Sequence, residues 1–133
     1  MSDAQISRSQ YAILAAYGAL LWFLAAMLVR VLAPMGALEG NARLLTLTYA
    51  LVIPGTIPAI LIGLKITSVT RSNFVLAVAM MTAAAGLLDG IALAWFPALY
   101  GDNVVHVLAG AAVILWGAGV ALALSFALKT PAR

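Results

Sequence analysis

The sequence predicts an all-α membrane protein, an up-down-up-down bundle of four transmembrane helices, N-in and C-in. Two observations carry the fold class. The chain of 133 residues is 65% hydrophobic and only 8% charged, where a soluble domain is about half apolar and about a quarter charged. A chain this short buries too small a fraction of its surface to hide that much apolar area from water. The apolar residues also fall into four blocks, each near the roughly 20 residues that carry a helix across a bilayer. The whole chain, residues 1–133, therefore reads as one transmembrane domain.

The first block runs from about Tyr11 to Ala33 and follows Arg8. Its apolar run exceeds the core of a cleaved signal peptide, and no small-x-small site ends it, so it reads as a retained span. The second runs from Leu44 to Leu64, the third from Phe74 to Phe96 and the fourth from Val104 to Leu128. Barrel strands would be about ten residues long with strict alternation, a pattern these blocks lack. The links, Pro34–Arg43, Lys65–Asn73 and Pro97–Asn103, are short, and short links make successive helices antiparallel neighbours. The two hairpins share a proline and a glycine–asparagine link, as internal repeats in transporters do, although tight helical links favour those residues in any case.

Orientation follows from the cations. With the N-terminus inside, Arg8, Lys65, Arg71, Lys129 and Arg133 face the cytoplasm, leaving Arg30 and Arg43 outside. Cytoplasmic loops carry the excess of Lys and Arg. Tyr11, Tyr17, Trp22, Trp95 and Tyr100 mostly fall near helix ends, where aromatic belts form. The net charge of +3 comes without any basic run, which argues against nucleic acid as a partner. The absence of cysteine excludes disulfides, thiolate metal sites and cysteine nucleophiles.

Within the blocks, Asp89 stands out. An acid at the centre of a membrane helix costs about 2.5–3.5 kcal/mol on insertion scales, and such residues face a partner, a cavity or the bundle interior. Counting from the outer end of its helix, it lies roughly 10 Å deep. Arg30, four residues before Pro34, falls in the same leaflet and is the expected partner, directly or through water. Pro54 and Pro58 remove two backbone donors from the middle of the second block and free the carbonyls of Ala50 and Pro54. That predicts a kink, or a broken helix lining a site. Gly86 and Gly90 form G-x-x-x-G, the pattern of close helix approach, with internal packing favoured over dimerisation.

His106 lies at the outer start of the fourth block, behind Asp102 and Asn103, either of which can cap that helix. A lone histidine supports neither a metal site nor a bis-histidine haem. The expected polar site is thus Asp89, Arg30, Arg43 and His106, with no metal and no cofactor. No G-x-S-x-G, H-E-x-x-H or Walker pattern is present, and the chain is expected not to be an enzyme.

The run Leu87-Leu88-Asp89-Gly90-Ile91-Ala92-Leu93-Ala94-Trp95-Phe96-Pro97-Ala98-Leu99-Tyr100, with Leu115-Trp116-Gly117 in the next block, resembles a family of short bacterial four-helix inner-membrane proteins of unknown function. The resemblance covers the C-terminal half and implies a bacterial inner membrane, without an activity. Small multidrug transporters share the size and helix number, but their membrane acid lies in the first helix. Two functions follow as expectations: a small proton- or ion-responsive transporter-like module, or a non-catalytic accessory or assembly subunit. The lipid bilayer is the expected partner, with a homodimer or a larger membrane complex as the assembly.

Overall fold

In the computed structural model, which describes residues 5–129, four long helices pack as a bundle. They are α1 (Arg8–Leu32), α2 (Ala42–Thr67), α3 (Phe74–Trp95) and α4 (Val104–Ala127). Each is long and apolar enough to cross a membrane. The shortest, α3, has 22 residues and so a length of about 33 Å, against a hydrocarbon core of about 30 Å. Arg133, one of the cations used to orient the chain, lies outside the described residues.

The helix starts are set by side chains that the hydropathy blocks do not show. Ser7 caps α1 in a reciprocal box with Gln10, and this moves the start three residues ahead of Tyr11. Asn41 accepts from the Arg43 and Leu44 amides and starts α2 at Ala42. For α4 the cap is Asn103, which accepts from the His106 amide at 2.9 Å. Asp102 is not the cap. Each cap satisfies backbone donors that a helix end leaves open. Short 3-10 turns over Ala33–Met35, Arg71–Asn73 and Pro97–Leu99 complete the connections.

The packing order departs from the expectation that helices adjacent in sequence are the main neighbours. The most extensive interface joins α1 to α3, followed by α3 with α4 and α2 with α4; α1 meets α2 more sparsely. A short link fixes which ends lie together, but the pairing of faces is decided by where side chains leave room. Glycine provides that room at Gly18. A Cβ there would stand 2.5 Å from the Met81 carbonyl oxygen, so α1 and α3 touch backbone to side-chain-free backbone. Gly63 gives α2 a seat against Tyr17 and Met81, and Gly110 accepts Val29 of α1 on α4. Two apolar clusters result. One gathers Leu14, Ile60, Ala77, Val78 and Met81. The other, at the opposite end, gathers Ala26, Val29, Leu38, Ala92, Tyr100 and Val113.

One expectation about the helices is corrected. Gly86 and Gly90 do not mediate internal packing: both are exposed, and a Cβ at either would meet nothing within 4 Å. The close approaches occur instead at Gly18, Gly63 and Gly110, which form no G-x-x-x-G. Gly86→Ala with Gly90→Ala should accordingly leave the folded bundle as stable as wild type or slightly more so, since alanine is the better helix former. Denaturant titration in detergent checks this, and a clear loss would place another surface against those glycines. Of the two forms expected for α2, a kinked helix or a broken one, the broken form does not occur. The helix runs without interruption through Pro54 and Pro58. Polar side chains work on its backbone nearby: the Thr56 hydroxyl donates to the Val52 carbonyl at 2.6 Å, and the Tyr17 hydroxyl to that of Ala59 at 2.7 Å. Neither acceptor is one of the carbonyls that the prolines free, those of Ala50 and Pro54, so these bonds brace α2 beside the prolines without replacing the lost backbone bonds.

Candidate polar site at one end of the bundle

Asp89 sits a turn and a half before the C-terminal end of α3, half-buried. It does not pair with Arg30. Its partner is Tyr100, whose hydroxyl donates to Asp89 Oδ1 at 2.6 Å. Tyr100 follows the 3-10 turn that begins at Pro97, and the turn folds the phenol back under the end of α3. That side chain is fully buried, at 0% exposure. From α1, the Trp22 indole Nε1 donates to the same hydroxyl at 3.0 Å.

The chemistry of the three groups fixes the direction of this chain. An indole N–H is donor only, so Tyr100 accepts from Trp22 and its own proton is left for Asp89. Asp89 must therefore accept at Oδ1, which a carboxylate does with either oxygen. The bond length lies in the ordinary range for a hydroxyl donating to an oxygen. Burial and the neighbouring Asp89 hold the Tyr100 phenol above its ordinary range, so Tyr100 keeps the proton with which it makes this bond. The three elements that meet here are α1, the end of α3 and the α3–α4 link.

Arg30 turns to that same link. Its guanidinium donates to the Ala98 carbonyl and to Asp102 Oδ1 at 2.8 Å. This replaces the expected Asp89–Arg30 pair, and the reason is reach: Arg30 is near the last turn of α1, level with the link and not with the carboxylate inside the span. The ion pair is exposed on both sides, where such pairs contribute at most about 1 kcal/mol in water. Its role is to hold the link above Tyr100.

His106 also lies at this end, with Nε2 3.6 Å from Glu39 Oε1 in the α1–α2 connection and Gly101 packed beneath it. Arg43, by contrast, joins none of these groups; among the described residues its side chain has no acidic partner. The four expected site residues thus share one end of the molecule but form no single constellation. Asp89 belongs to a network of its own, Arg30 and His106 each fasten a connection, and Arg43 stands apart.

Trp22, near the middle of α1, and Tyr100, in the α3–α4 link, are not among the expected site residues because both read as members of an aromatic belt. A second signal was available. A buried acid needs a donor, and Tyr100 is the nearest hydroxyl downstream of Asp89, separated from it by a proline turn able to bring it back. Among the described residues, no three His, Cys, Asp or Glu side chains converge as a metal site would require. No family model matches the chain, and neither do any curated protein or solved structure. The four-span architecture is supported by the helices themselves, and the expected family membership has no matching family model behind it.

Proposed function

We propose that this chain is a non-enzymatic multi-pass membrane module whose Asp89 responds to protons or small cations, housed in a bacterial inner membrane with both termini cytoplasmic. The observation that carries the reading is an acid within a membrane span that accepts from a buried tyrosine. Intramembrane acids of this kind mark ion and proton pathways. Protonation or cation binding at Asp89 withdraws negative charge from the Tyr100 hydroxyl and weakens a charge-assisted bond. Tyr100 is packed among Ala26, Val29, Leu38, Ala92 and Val113, so that change reaches α1, α3, α4 and the α1–α2 connection together. Four helices enclose little aqueous volume, and a transporting form would be a homodimer.

The test is a pH-gradient flux assay on the protein in liposomes. Asp89→Asn keeps an oxygen for Tyr100 and so keeps the fold, and flux should fall at least tenfold. Flux unchanged in Asp89→Asn would contradict the reading.

A second reading has its own observation. Trp22, Tyr100 and Asp89 form a satisfied chain, and Arg30 with Asp102 locks the link above it, as expected of groups that hold helices in register. On that reading the protein is an accessory or assembly subunit of a larger membrane complex. Purification from native membranes separates the two: a stoichiometric larger partner favours the subunit, and a clean small oligomer favours the ion-responsive module.

A further inference from the structure

We propose that the surface of α2 between Arg43 and Ile53 is a binding site for an anionic phospholipid. Two adjoining open grooves, of about 420 and 540 Å³, lie along this stretch and share Thr46 and Ala50. Their lining is almost wholly apolar. Thr46 does not change this, because its hydroxyl is used on the Ala42 carbonyl at 2.8 Å. One wall comes from α4, where Trp116 lies against Tyr49 with ring centroids 5.6 Å apart. The Trp116 indole is itself fixed by donating to the Tyr49 carbonyl at 3.0 Å. The groove that reaches Ile53 is therefore braced from two helices, while the one beside Arg43 is lined by α2 alone.

Length and charge choose the occupant. From Arg43 to Ile53 is ten residues, about 15 Å of helix, which is half of the roughly 30 Å hydrocarbon core. The groove thus matches one leaflet, with Arg43 at the headgroup level and Ile53 near the midplane. At this end of the bundle Arg30 is neutralised by Asp102 and His106 stands against Glu39. Arg43 is left as the cation at this end without an acidic partner among the described residues. Guanidinium forks match phosphate oxygens. The α2 N-terminus itself is not available, because Asn41 Oδ1 already accepts from the Arg43 and Leu44 amides. Recognition therefore falls to the Arg43 side chain, while an acyl chain lies over Thr46, Ala50 and Ile53 against Trp116.

The experiment is native mass spectrometry of the full chain in detergent, titrated with phosphatidylglycerol or phosphatidylcholine. Wild type should bind phosphatidylglycerol at least fivefold more tightly. Arg43→Gln should remove that preference, and Arg43→Lys should keep part of it. Ala50→Phe, which fills the groove at its middle, should weaken both lipids. Arg8→Gln, at the other end of the bundle, should change nothing. The proposal is overturned if wild type shows no headgroup preference, if the preference survives in Arg43→Gln, or if Arg8→Gln abolishes it equally. It is overturned as well if Ala50→Phe leaves lipid binding intact and instead converts a dimer to monomer, which would make a second copy the occupant. Arg43 is exposed and unpaired, so its substitution tests recognition without threatening the fold.

Discussion

Gly18→Ala should destabilise the bundle by about 2–3 kcal/mol, toward the upper part of the usual cost of overpacking a core. The added methyl would sit 2.5 Å from the Met81 carbonyl oxygen. Backbone cannot rotate aside, so α1 and α3 must separate along their most extensive interface. Gly63 provides the internal comparison. A Cβ there meets the Met81 sulfur at 2.6 Å and the Tyr17 ring at 2.8 Å. The methionine end is flexible and yields readily, but Tyr17 is held by its bond to Ala59. Gly63→Ala should fall between Gly18→Ala and the tolerated changes at Gly86 and Gly90. Unfolding in mixed micelles, followed by helical circular dichroism, ranks the three. Equal losses at Gly18 and Gly86 would show that the α1–α3 approach does not organise the bundle.

Tyr100→Phe should cost about 2–4 kcal/mol, because it leaves two groups without partners rather than one. Removing a buried hydrogen-bond partner costs about 1–3 kcal/mol for each group stranded, and more where the group is charged. The Trp22 indole loses its acceptor and Asp89 its donor, while the ring volume scarcely changes. Trp22→Phe should cost less, since Tyr100 and Asp89 remain bonded. Asp89→Asn should lie within about 1 kcal/mol of wild type because its amide oxygen still accepts from Tyr100. The order Tyr100→Phe, then Trp22→Phe, then Asp89→Asn is the expected result of the same unfolding titration. A larger loss for Asp89→Asn than for Tyr100→Phe would mean that the carboxylate is held by something other than Tyr100.

The four helices were legible in the sequence because membrane insertion writes itself into composition: every backbone polar group in lipid must be satisfied within its own helix, and only long apolar runs meet that demand. Helix ends were less legible. Ser7, Asn41 and Asn103 act through one or two hydrogen bonds that a hydropathy window averages away. The pairing of helices was legible only in part: α3 and α4 are neighbours as their short link implies, but the leading α1–α3 interface was not. It depends on single glycines, and Gly18, Gly63 and Gly110 carry no spacing pattern, whereas Gly86 and Gly90 carry the pattern and face outward.

The polar site was half legible. Asp89 announces itself, because a carboxylate in an apolar run has no ordinary explanation. Its partner does not, since pairing by charge points to Arg30 and the actual donor is a neutral phenol. Arg30 found Asp102 because both lie at the level of the connections, a matter of a few ångströms in depth that residue counting does not resolve.

On the proposed function, a change in the state of Asp89 reaches the rest of the bundle through Tyr100. With three tryptophans in the sequence, the indole N–H signals can be resolved individually by nitrogen-15 NMR in micelles. Across a pH titration the Trp22 signal should move with a single transition in wild type, and that transition should vanish in Asp89→Asn. A Trp22 signal that does not move in wild type, or that moves identically in Asp89→Asn, would contradict the account.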